Sequence, residues 1–175
     1  ELQEGWCDNA LNLNRVIIMP NNKYYKKYED KLIIGKSNFQ NEEYDILIFA
    51  ERDIEKVTIP PTIKRIASSA FADSNIKYIF IPPNVEEIGE RAFQCCTKLT
   101  KIEISQDSKL KTIGRNAFTN SYIESFPIPP KVNDINEVLS IDSKKLNKIT
   151  IMPGNEYFKS YDNKLILGKS NIKNE

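Results

Sequence analysis

Apolar residues return along this chain as a fixed sentence, not as a plain helical or strand period. Between Val85 and Ile104 the pattern reads V-x-x-I-G-x-x-A-F-x-x-C-x-x-L-x-x-I-x-I, with polar or charged residues in most of the gaps. Upstream, Ile63 and Ile66 lead to Ala70-Phe71 and on to Ile76, Ile79 and Ile81-Pro82-Pro83. Downstream, Leu110 and Ile113-Gly114 lead to Ala117-Phe118 and on to Ile123, Phe126 and Ile128-Pro129-Pro130. The step from Phe71 to Phe93 is 22 positions and from Phe93 to Phe118 is 25. Recurrence at that length predicts a solenoid, in which each coil buries its apolar face only against its neighbours.

Two local patterns sit inside each coil. L-x-x-I-x-I closes with strict alternation, which puts Ile102 and Ile104 on one face of a strand and Lys101 and Glu103 on the other. The V-x-x-I spacing ahead of A-F suits a helical or 3₁₀ turn on the convex side, with Ala permitting close approach and Phe filling the space between coils. Aligned in register, Leu13, Ile54, Ile76, Leu99, Ile123 and Leu146 form one column of a parallel sheet with about 4.8 Å between strands. The predicted fold class is α/β: a repeat solenoid with a short-stranded parallel sheet on its concave face and 3₁₀ or short helical turns on its convex face.

A β-hairpin insert interrupts the coils at about 24–50, where the β-prone runs 31–37 and 44–50 flank a polar stretch. A longer period lies over the first. The segment from Met19 to Asn38 reappears from Met152 to Asn171 without a gap, an offset of 152 − 19 = 133 positions, and the match reaches Asn174-Glu175. The chain therefore reads as a single solenoid segment, 1–175, holding one super-unit and, at about 134–175, the opening of the next. A segment of a longer array is the expectation.

The combination A-F-x-x-C-x-x-L, followed by I-x-I-P and preceded by V-x-x-I-G, resembles the BspA-like (Treponema-type) leucine-rich repeat family. The run Asp30-Lys-Leu-Ile-Ile-Gly-Lys-Ser37 is similar to the hairpin found between coils of that family. The motif is intact at Ala70-Phe71, Ala92-Phe93 and Ala117-Phe118, and Trp6-Cys7 and Leu139-Ser140 stand in for it in two further coils. The resemblance implies a cell-surface or secreted adhesin that engages host or matrix proteins. It carries over no binding residue, because the shared motif is structural.

Composition narrows the function classes. With 25 basic and 24 acidic side chains the net charge is +1, without the basic excess of a dedicated nucleic-acid domain. No stretch approaches the roughly 20 apolar residues of a membrane helix, so no membrane contact by this segment is expected. Histidine is absent, which removes the commonest general base and metal ligand, and Cys7, Cys95 and Cys96 have no metal-binding spacing. Cys96 aligns with Ser74 and Ser121 and reads as a small buried filler, with a redox role as the alternative. Gly35-Lys36-Ser37 lacks the upstream glycine of a phosphate-binding loop, since Asp30 stands there, and reads as a hairpin turn. No catalytic residue, metal or cofactor is expected, and the chain reads as non-enzymatic.

Candidate binding residues come from the outward positions of the sheet. Tyr78 and Phe80 place neighbouring rings on the solvent face, and Arg15, Lys56, Lys101 and Lys148 share a column interspersed with acidic residues such as Glu103. Exposed aromatics beside Arg or Lys suit a protein-binding surface, and concave solenoid faces are where repeat proteins bind. Against this stand two plainer readings: that the hairpin or a neighbouring ring covers the aromatics, and that the basic column is a solvated ladder. The expected partner is a protein, an extracellular matrix protein by resemblance; an intracellular interaction scaffold or a spacer within a repeat array is the alternative. Carbohydrate binding is weaker, because Trp6 is the single tryptophan.

Overall fold

A computed structural model describes residues 2, 6–7, 10, 13–40, 42–134, 143, 145–161 and 165–168. Among these described residues twelve short strands are formed: β1 (Tyr25–Tyr28), β2 (Leu32–Gly35), β3 (Ile46–Ala50), β4 (Arg65–Ile66), β5 (Tyr78–Ile81), β6 (Glu87–Ile88), β7 (Lys101–Ile104), β8 (Thr112–Ile113), β9 (Ser125–Ile128), β10 (Lys148–Ile151), β11 (Phe158–Tyr161) and β12 (Leu165–Gly168). The L-x-x-I-x-I segments give β5, β7, β9 and β10, and their alternation behaves as predicted: Ile79, Ile81, Ile102, Ile104, Phe126 and Ile128 are buried. Parallel pairing joins β5 to β7 and β9 to β10. The two pairs are not one hydrogen-bonded sheet, and Pro127, in the middle of β9, has no N–H to give a ladder. The segment from Ile54 to Ile59 and that from Leu13 to Ile18 continue the column without forming strands.

The convex side departs from expectation. Among the described residues it contains no helix. The V-x-x-I segments are the two-residue strands β4, β6 and β8, paired parallel from coil to coil. The A-F segments that follow are chains of tight turns. Ala70, Ala72 and Ser74 donate to Ala67, Ser69 and Phe71, while the intervening N–H groups of Ser69, Phe71 and Asp73 donate to Glu90, Ala92 and Gln94 of the next coil at 2.8–2.9 Å. The pattern repeats from Arg91, Phe93 and Cys95 to Arg115, Ala117 and Thr119. Every second residue gives its amide to a neighbour, and φ is positive at Ser69, Asp73, Arg91, Cys95, Asn116 and Asn120, between 54° and 60°. A helix needs each N–H inside the segment and a right-handed backbone throughout, so both features exclude it.

The insert is larger and better integrated than a hairpin. Its strands β1, β2 and β3 form an antiparallel meander, and β3 pairs parallel with β4, so the order β1-β2-β3-β4-β6-β8 makes one six-stranded sheet. The insert thus supplies the edge on which the first intact A-F coil stacks. Trp6 and Cys7 close its outer side: the Trp6 ring lies 6.0 Å from that of Phe49, and Cys7 is buried. Leu139-Ser140 and residues beyond 168 lie outside the described residues.

Inside the coils runs a spine of phenylalanines. Phe71, Phe93 and Phe118 have no solvent exposure and stack nearly parallel, with centroids 4.9 and 5.1 Å apart and interplanar angles of 9° and 7°. Cys96 fills the space beside them, its thiol 3.0 Å from the Phe71 carbonyl oxygen and 3.5 Å from Ser74 Oγ. Burial pushes the thiol pKa up to about 12, so it is not a thiolate nucleophile near neutrality.

Where the insert meets the first coil, Arg52 adds side-chain donors to carbonyls that already accept the N–H groups of Ala50 and Ala72. Its guanidinium is buried, donates to the carbonyls of Ala70 at 3.1 Å and Ser69 at 3.3 Å, and lies 4.4 Å above the Phe49 ring. Desolvation on burial lowers its pKa from the ordinary arginine value. Substituting Arg52→Met fills the volume but withdraws both donors, so we expect about 2 kcal/mol of destabilisation, read as a lower urea midpoint at unchanged slope.

Candidate functional site on the concave face

Register places the outward side chains. Tyr78 lies opposite Lys101 and Phe80 opposite Glu103, which leaves Tyr78 and Glu103 as diagonal neighbours on one face. The Tyr78 hydroxyl donates to Glu103 Oε2 at 2.8 Å. Lys101 Nζ reaches Glu103 Oε1 at 2.5 Å and sits 5.8 Å from the centre of the Tyr78 ring. The Lys101 ammonium and then the Tyr78 hydroxyl hold the Glu103 carboxyl below the usual glutamate range. A depressed carboxyl pKa means that the network's contribution is present above the ordinary glutamate value and is lost as pH falls through the lowered one. The three side chains are pre-positioned by one another.

Phe80 is 41% exposed, and the insert does not cover it. Together with Glu103, Pro127 and Thr150 it forms a row across β5, β7, β9 and β10, and these four side chains line a groove of about 700 Å³. Gln106 and Met152 line the same groove. The groove crosses the gap between the two strand pairs, where Pro127 interrupts the ladder. It is therefore an apolar-edged trough with one acidic side chain, suited to lodging a side chain or a short extended segment of a partner.

The basic column does not form a strip of unpaired positive charge. Arg15 pairs with Glu51 at 3.4 Å, and Glu51 also takes Lys27 at 3.2 Å. Lys101 is paired with Glu103, while Lys56 and Lys148 are exposed, Lys148 beside Ser125 in the register. Further pairs run from coil to coil, Lys77 to Glu55 and Lys111 to Glu86, each at 2.7 Å. Such exposed pairs are screened and contribute little to stability. Of the seven predicted residues, Tyr78, Phe80, Lys101 and Glu103 come together, and Arg15, Lys56 and Lys148 do not join them. Sequence reasoning missed Gln106, Pro127, Thr150 and Met152 as groove residues; the proline within a strand motif was the available signal.

Among the described residues, no group of His, Cys, Asp or Glu could hold a metal ion, and no helix is long and apolar enough to cross a membrane.

A family model for the BspA type leucine rich repeat region matches residues 45–164 in six copies. The chain is similar to a solved structure of the pneumococcal vaccine antigen PcpA, at 30% identity and a TM-score of 0.54, over 62% of this chain and 27% of that one. It is also similar to a leucine-rich repeat protein from Eubacterium ventriosum ATCC 27560, at 22% identity and a TM-score of 0.61, over 89% of this chain and 42% of that one. A leucine-rich repeat protein from Bacteroides capillosus ATCC 29799 aligns at 20% identity and a TM-score of 0.51, over 73% of this chain and 91% of that one. The chain thus spans about a quarter of the pneumococcal antigen's length. No curated protein matches it.

Proposed function

The chain belongs to the BspA-type leucine-rich repeat family, whose repeats are in general protein-interaction modules, and from that premise we propose that it is a non-enzymatic binding segment of a surface or secreted adhesin. In this reading its concave face engages an extracellular partner protein. The observation that carries the reading is the groove beside Phe80, where an exposed ring, a pre-formed Tyr78–Glu103–Lys101 network and an apolar trough converge. An aromatic anchor held by a rigid sheet loses little side-chain entropy on binding, which is what a hot spot requires. Its likeness to the pneumococcal vaccine antigen supports a location at the cell surface. Lys56 and Lys148 stand at the margins of this face in the same reading, and Arg15, already paired with Glu51, contributes least.

The test is binding of the purified chain to immobilised fibronectin, fibrinogen and a neutral control protein, at low and physiological salt. Selective binding of one matrix protein is expected. Phe80→Ala should weaken it at least about tenfold, as loss of a hot-spot aromatic does, without changing circular dichroism. Binding to the matrix proteins no stronger than to the control sinks the adhesin reading, and the segment is then a spacer or a scaffold for another class of protein.

A further inference from the structure

The insert carries a basic and aromatic surface that shares no residue with the groove beside Phe80. Three lysines in the insert or against it are neutralised: Lys27 by Glu51 at 3.2 Å, Lys31 by Asp53 at 3.4 Å and Lys64 by Glu43 at 2.9 Å. Lys26 and Lys36 are not. Their ammonium groups both lie over the Tyr44 ring, 4.2 and 5.0 Å from its centre, and among the described residues neither has a carboxylate within ion-pair distance. Asp45, beside Tyr44 in the chain, instead accepts from the Ser37 N–H at 2.8 Å and the Ser37 hydroxyl at 2.6 Å. Glu42 lines the cleft next to Lys26 without pairing with it.

One ring thus holds two like charges near each other, and charges so placed attract an anion. The ring is itself anchored: its hydroxyl reaches the Lys23 carbonyl at 3.4 Å, and its body packs against the core. Beside it stand Tyr24 and Phe39, 46% and 43% exposed, their rings 4.7 Å apart in an edge-to-face pair. Continuing the register of β1 and β2 by one residue sets Tyr24 opposite Lys36, so rings and ammonium groups share one surface. This face points outward even where a preceding coil is in place. At the positions 133 further on, Asn155 is bonded to the carbonyls of Pro129 and Val132 and Phe158 is buried, yet Tyr157 is 42% exposed and Lys159 is exposed.

We propose that the insert binds a sulfated glycan, with sulfate groups at Lys26 and Lys36 and a sugar ring on the Tyr24–Phe39 pair. Two features favour a sugar chain over an acidic peptide. The basic groups are all lysines, compact point charges without the planar fork that arginine offers to a carboxylate. The aromatic pair is exposed and so offers apolar ring surface to the C–H face of a pyranose, whereas a peptide anchor calls for a recess.

Fluorescence anisotropy of the full chain with a labelled heparin oligosaccharide tests this. Binding is expected at low salt and should weaken as salt screens the lysines. Lys26→Gln/Lys36→Gln should lower affinity about tenfold or more and flatten its dependence on salt, because two charged contacts are lost. Tyr24→Ala should lower affinity severalfold at unchanged salt dependence, since the ring carries no charge. Lys98→Gln/Lys131→Gln removes the same charge from exposed positions elsewhere and should leave affinity within about twofold of wild type. Circular dichroism should be the same for all variants, and neither desulfated heparin nor polyglutamate should compete. Absence of heparin binding at low salt overturns the proposal, as does an equal loss from the two lysine pairs. Competition by polyglutamate as effective as that by heparin overturns it too, and would assign the surface to an acidic protein.

Discussion

Phe93→Ala should lower stability by about 4 kcal/mol, in the range for truncating a fully buried Phe, with a correspondingly lower urea midpoint. The ring is the middle member of the spine, stacked on Phe71 on one side and Phe118 on the other, and it has no exposure. Its removal opens a cavity between two interfaces at once. The surrounding coils cannot collapse into it easily, because the amides on either side of Phe93 are tied to adjacent coils through Ser69 to Glu90, Arg91 to Arg115 and Phe93 to Ala117. Stability of a stacked array is a sum of coil and interface terms, so a lesion at the central interface should also broaden the unfolding transition by uncoupling its two halves. A midpoint equal to wild type would show that the spine does not hold the stack.

The second large effect is expected at glycine. A Cβ at Gly114 would lie 2.5 Å from the Glu90 amide nitrogen and 2.6 Å from the Gly89 carbonyl carbon; at Gly89 it would lie 2.6 Å from the Ser68 amide nitrogen. Both clashes are with backbone of the preceding coil, which has no rotamer to move. Gly114→Ala should cost about 3 kcal/mol or more, at the upper end of overpacking effects, because the coils must separate along β6 and β8. The chain contains its own control. Ala67 occupies the same place in the first intact coil, where the preceding element is β3 instead of another A-F coil, and the Cβ is accommodated. The substitution Ala67→Gly is therefore expected to bring no comparable gain. Thermal unfolding of the Gly114→Ala chain measures the effect, and a melting temperature equal to wild type would show that the coils are not in backbone contact.

The parts of the fold legible in the sequence were those written once per coil. Phe93 is recognisable as an inter-coil wedge because Phe71 and Phe118 recur at the same place, and the inward set of β5, β7 and β9 follows from alternation alone. The convex side was misjudged because V-x-x-I spacing fits a helical turn as well as a strand corner. Arg91 and Cys95 carry no sequence sign of left-handed backbone, unlike Asn116 and Asn120, whose residue type tolerates it. Integration of the insert depends on β3 meeting β4, a pairing between distant segments that no local pattern encodes. At the candidate site, exposure of Phe80 was readable from period 2. The Tyr78–Glu103 hydrogen bond was not, since it depends on the register of β5 against β7. Neutralisation of Arg15 likewise requires Glu51, which the insert brings into reach.

The most direct test of the concave face as the binding surface is site-specific photo-cross-linking. A photoreactive phenylalanine analogue placed at position 80 should couple to bound fibronectin or fibrinogen, while the same group at exposed position 109 should not. Equal coupling from both positions, or coupling from 109 alone, would contradict the assignment of binding to the groove beside Phe80.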